Sequence, residues 1–167
     1  MMQPILPDVL QPDLKVVFCG TAASHKSARV RGYYAGPGNY FWPVLYKIGL
    51  TPYQLQPHEF RRVVEYGIGL TNIARYACGL DHQLTKADFD PHSLRQDIIR
   101  VSPRVLAFNG KKAAQVFFNQ PIIQYGLQPE SVGETAVFVL PSTSGAARGF
   151  WNEAHWYALA DWLKAKD

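Results

Sequence analysis

The chain is 167 residues long, 47% hydrophobic and 18% charged, with a formal net charge of +4. That much apolar material can build a core and excludes a disordered chain, and the length suits one domain spanning residues 1–167. The mild positive charge is compatible with a nucleic-acid partner without demanding one.

Residues 1–13 carry prolines at 4, 7 and 12 and read as an extended arm laid over the domain. They lack the basic stretch and apolar core of a signal peptide. No apolar run approaches the ~20 residues of a membrane span, so no membrane partner is expected. Leu14–Cys19 is a short apolar, β-branched run, expected as a buried parallel strand, and Gly20 ends it. A long, small, polar and basic loop runs on to Gly38, through Lys26, Ser27, Arg29 and Arg31, and closes on Tyr33, Tyr34 and a Gly-Pro-Gly turn. Asn39 stands where a helix cap would. Phe41, Val44, Leu45 and Ile48 then recur at helical spacing, and Gly49 is placed to stop that helix.

Pro57–Glu65 reads as a second short helix with proline near its start. Gly67–Thr71 reads as the second strand, with Asn72 at its carboxyl end, then a turn or short helix over 73–78 and a polar loop over 79–89. Pro91–Val101 is a helix burying Leu94, Ile98 and Val101. Arg104–Phe108 is the third strand, ended by Asn109-Gly110, and Lys111–Phe118 is a helix. Gln120–Glu134 reads as loop, Ala136–Leu140 as the fourth strand, and Pro141–Gly149 as a second small polar loop. Asn152–Lys164 is the last helix, burying Trp156, Leu159, Ala160 and Leu163. The alternation predicts an α/β fold, a three-layer α/β/α domain around a four-stranded, mostly parallel sheet. The loops 20–38, 71–75 and 141–148 would meet at the carboxyl edge, where such sheets bind ligands.

The segment GTAAS at 20–24 matches neither the phosphate P-loop, nor the GxGxxG dinucleotide turn, nor the GxSxG nucleophile elbow. The two cysteines form no CxxC and the five histidines no HExxH. No metal or other cofactor is expected, and free thiols fit a reducing cytoplasm. Three features remain as candidates. Tyr34, beside a glycine turn, is either a stacking platform for a planar base or a residue packed on the core under the loop. Asn72 either caps a turn or presents its amide to a water or a substrate edge. Ser142–Arg148 either caps the last helix or offers hydroxyls, backbone N–H groups and one cation to a phosphate.

The ordered set GTAAS, YYAGPGNYFW, GLTNIA and LPSTSGAAR resembles the mismatch-specific uracil/thymine-DNA glycosylases of the uracil-DNA glycosylase superfamily, over nearly the whole chain. The resemblance implies metal-free hydrolysis of the N-glycosidic bond of uracil opposite guanine in duplex DNA, with thymine or a damaged base as further substrates. It implies a monomer, cytoplasmic and bound to DNA in the nucleoid. Gly20, Thr21, Ala22, Ser27 and Tyr34 then form the base-binding side, with Tyr34 stacking on the flipped base. The family's catalytic asparagine falls on Ala22, which cannot hold a water, so the chemistry moves to Asn72. Lys26, Arg29 and Arg31 would follow phosphates. Ser142, Thr143, Ser144, Gly145, Ala146, Ala147 and Arg148 match the loop that enters the minor groove, with Ala146 in place of a bulky wedge. Ala22 also leaves open a catalytically inactive mismatch- or lesion-binding protein. A small-molecule α/β enzyme is the third reading, and it predicts DNA affinity that does not fall with salt.

Overall fold

The computed structural model describes residues 3–167; of the expected arm 1–13, residues 1 and 2 lie outside the described residues. The chain folds in the order β1 (Val16–Gly20), α1 (His25–Val30), α2 (Phe41–Lys47), β2 (Ile68–Asn72), α3 (Pro91–Val101), β3 (Val105–Asn109), α4 (Lys111–Phe118), β4 (Gly126–Leu127), β5 (Ala136–Leu140) and α5 (Glu153–Ala165). A 3-10 helix, Pro57–Tyr66, precedes β2. The sheet order is β2-β1-β3-β5-β4, parallel throughout except for β4, which pairs antiparallel with β5. No helix is long and apolar enough to cross a membrane among the described residues.

Alternate residues of each strand feed opposite layers, as the two-residue period of a strand requires. Val16 and Phe18 face Phe41 of α2 and Trp156 of α5, whereas Val17 and Cys19 face α3 and α4 through Leu94, Ile98, Ala113 and Phe117. Burial on both sides explains why the strands read as continuous apolar runs. Phe18 stacks on Trp156 at 5.6 Å and meets Phe41 edge-on at 5.3 Å. Each such buried side chain contributes about 1.5–3 kcal/mol.

The three-layer α/β/α architecture is present, but the sheet has five strands rather than four. The fifth, β4, covers only two residues, too short to leave an alternating pattern, and is held by pairing with β5 and by the Gln128 N–H to the Val137 carbonyl (2.8 Å). The segment expected as one loop from Gly20 to Gly38 contains α1. That helix has no apolar stripe. It is set by the Ser24 N-cap, which accepts from the Ser27 N–H, and by Arg31 in the left-handed region at φ 57°. Short 3-10 turns also occupy Asp81–Gln83, Lys86–Asp88 and Gly145–Phe150 within segments read as loop.

Residues 3–13 precede β1. Leu6 and Val9 are buried, and Val9 bridges to Leu70 at the edge of β2. Asp8 accepts from the Thr71 hydroxyl (2.7 Å) and pairs with Arg75, whose guanidinium also meets Asp97 at 2.7 Å.

Candidate active site

β1 and β3 are neighbours, yet their connections leave in opposite directions: β1 leads to β2 on one side, β3 to β5 on the other. Such a reversal opens a crevice at the carboxyl ends of the strands. A cavity of about 410 Å³ lies there, bordered by the segments after β1, β2, β3 and β5.

Its floor is Gly20 at the end of β1, paired in register with Asn72 at the end of β2. A Cβ on Gly20 would stand 2.9 Å from Asn72 Oδ1 and 3.2 Å from Tyr34 Oη, so both polar atoms converge on this glycine. Asn72 is only 6% exposed, and its carboxamide makes no hydrogen bond to another described residue. Asn109, at the matching end of β3, differs. It donates from Nδ2 to Thr143 Oγ1 (2.9 Å) and accepts from the Thr143 N–H (3.0 Å), which clamps the loop after β5 to β3. Of two strand-end asparagines at the cavity, one is engaged through both ends of its carboxamide by Thr143 and the other makes no such bond.

Tyr33 is a core residue, 2% exposed, whereas Tyr34 borders the cavity and stacks on Phe41 at 4.0 Å. Tyr34 has φ 55°, the left-handed region, and its hydroxyl is buried without a hydrogen-bond partner. Burial pushes that phenol far above its ordinary value, so it remains a donor. Thr21 and Ala22 border the cavity, and the Thr21 hydroxyl donates to Asp81 Oδ1 at 2.6 Å. Ser27 touches the cavity, but its oxygen accepts from the Ala35 N–H (2.9 Å) and the Ser24 hydroxyl (3.0 Å), so it holds the Tyr34 segment in place.

The loop after β5 forms the opposite wall, with Ser142, Thr143, Ser144, Ala146 and Ala147 at the cavity. It docks on the Gly36-Pro37-Gly38 turn. The Tyr40 N–H donates to the Thr143 carbonyl (2.9 Å), and a Cβ on Gly145 would sit 2.8 Å from the Pro37 carbonyl. The exposed Arg148 lies over Gly38. Lys26, Arg29 and Arg31 are exposed on and just after α1, outside the cavity wall, and Lys111 and Lys112 border it. Among the described residues none of these cations pairs with a carboxylate.

Asn109, Asp81, Phe150, Lys111 and Lys112 are among the cavity residues that escape the sequence reading. Asn109 repeats the strand-end asparagine signal of Asn72 and was legible by that analogy. Asp81 sits in a polar stretch with no motif. Phe150, 72% exposed, is a bulky apolar side chain bordering the cavity near Ala146.

The description "Uracil DNA glycosylase superfamily" belongs to a family model that matches residues 7–165. A solution NMR structure from Methanosarcina acetivorans, described as a candidate uracil DNA glycosylase, is 25% identical. The match covers 95% of this chain and 96% of that one, with a TM-score of 0.65.

Proposed function

We propose, from the premise that this chain belongs to the uracil DNA glycosylase superfamily, that it is a monofunctional DNA glycosylase acting on uracil mispaired with guanine in duplex DNA. Thymine and damaged bases are further candidate substrates. A mispaired base costs less to unstack and unpair, which gives mismatch preference a physical source. The protein would act as a monomer in the cytoplasm, on DNA, without a cofactor.

One observation carries the reading: a buried, unpartnered asparagine at the floor of a cavity rimmed by unpaired cations. Cleavage passes through an oxocarbenium-like sugar while the base departs as an anion. Tyr34 supplies the aromatic wall for the base, and Gly20, Thr21 and Ala22 line its edge. A carboxamide is a poor base, so Asn72 orients water rather than deprotonating it. Lys26, Arg29, Arg31 and Arg148 would meet phosphates and the loop Ser142–Arg148 the groove, with Phe150 available to fill the space a flipped base leaves.

Single-turnover excision from a G·U duplex tests the reading. Asn72→Ala should lower the rate by about 100-fold. A rate within about threefold of wild type, ~0.6 kcal/mol, removes Asn72 from the mechanism. Ala22 favours a second reading, an inactive mismatch binder. Incubation with a uracil duplex followed by alkali separates the two: strand scission marks the enzyme, and retention without scission the binder.

A further inference from the structure

Asp81 is the one carboxylate bordering the cavity among the described residues, and the glycosylase reading above gives it no task. Its position is built rather than incidental. The stretch Cys78–Gln83 is laced to the segment after β1 by a bridge between Ala23 and Cys78 and by the Gly79 N–H to the Ala23 carbonyl (2.9 Å). Gly79, at φ 132°, takes a turn that a side chain would strain. The Gln83 side chain then accepts from the Leu80 N–H (2.7 Å) and closes the 3-10 turn that starts at Asp81. The Thr21 hydroxyl holds Oδ1 at 2.6 Å, which leaves Oδ2 without a protein partner. Thr21 adjoins Ala22, the residue that cannot handle a water.

We propose that Asp81 is the catalytic carboxylate of this site, facing the sugar and taking the proton of the attacking water that Asn72 orients. The assignment rests on the glycosylase reading and deepens it. As the C1′–N1 bond breaks, its electron pair leaves with the base as an anion, and the sugar gains positive charge. The fixed carboxylate stabilises that charge. Water oxygen bonds to C1′, and its proton passes to Asp81 Oδ2, which releases it to solvent after the base departs. No oxidant, reductant or metal enters the balance. The division of labour suits the chemistry: an amide can position a water and a carboxylate can accept its proton. Lys111 and Lys112 border the same cavity, and their positive charge would offset the carboxylate's repulsion of a DNA backbone.

The test is single-turnover excision of uracil from a G·U duplex by wild type and by Asp81→Asn, with affinity for an abasic-site duplex measured in parallel. The asparagine keeps an acceptor for Thr21 on an exposed side chain, so the fold is retained. The expected result is a rate at saturating enzyme lowered about 100-fold with duplex affinity undiminished. An Asp81→Asn rate within threefold of an active wild type overturns the assignment and leaves the glycosylase reading standing. Loss confined to DNA affinity, with an unchanged saturating rate, also overturns it. A wild type that excises uracil from no substrate overturns both.

Discussion

Tyr34 shows how a single residue trades stability against the site. Its ring gains packing on Phe41, but its hydroxyl is buried with no partner in the free protein. An unsatisfied buried hydroxyl costs about 1–3 kcal/mol. Tyr34→Phe should therefore raise the urea midpoint of unfolding, by about 1 kcal/mol in stability. If the hydroxyl donates to substrate, the same variant should lose excision. A variant that is less stable than wild type would show that the hydroxyl is satisfied in solution. Gly20 lets Asn72 Oδ1 and Tyr34 Oη both close on the end of β1, since any side chain there would meet both polar atoms.

At the scale of elements, α1 and the loop after β5 present the cations. α1 buries only Ser27, so five of its six residues face outward or half outward, and Lys26 and Arg29 are free to meet a backbone. Each phosphate neutralised releases counterions, with a slope of about −0.9 in log affinity against log salt per contact on duplex DNA. Replacing Lys26 and Arg29 together by alanine should flatten that slope by about 2 units, whatever the base opposite guanine. An unchanged slope would place α1 off the DNA path. The loop after β5 is held by Asn109, by the Tyr40 N–H to the Thr143 carbonyl, by Trp156 Nε1–H to the Pro141 carbonyl and by the close approach of Gly145 to Pro37. Its geometry therefore depends on the end of β3 and on the Gly36-Pro37-Gly38 turn.

At the scale of the whole molecule, the arm and the sheet edge are joined by the Asp8–Arg75–Asp97 cluster. Burial raises Asp8 above the ordinary carboxylate value, outweighing the attraction of Arg75 and the hydrogen bond from Thr71. A raised folded-state value means that Asp8 favours the fold fully below its unfolded value of 3.8, and that this contribution is lost as pH rises through the folded value. The stability of Asp8→Asn relative to wild type should therefore improve from pH 3.8 toward neutrality, measured by urea unfolding at both ends. A relative stability that worsens with pH would mean that ionised Asp8 is net stabilising. The cluster lies behind β2, so it steadies the strand that ends in Asn72 without touching the cavity.

The sequence by itself determined the layer order, the buried strands and four of the five helices, because apolar periodicity and glycine or proline punctuation are local signals. It also placed Gly20, Tyr34 and Asn72 at one sheet edge, since parallel strands joined by crossovers must end on the same side. α1 and β4 were illegible: one is fixed by capping bonds without an apolar stripe, the other by pairing with a strand nine residues on. Only the tertiary structure decided which strand-end asparagine is free, because Asn72 and Asn109 have the same local setting and differ in whether Thr143 reaches them. Only it brought Asp81 to Thr21, sixty residues apart in the chain. Hydrogen bonds between distant segments leave no periodic trace, and in this protein they select the atoms that face the cavity.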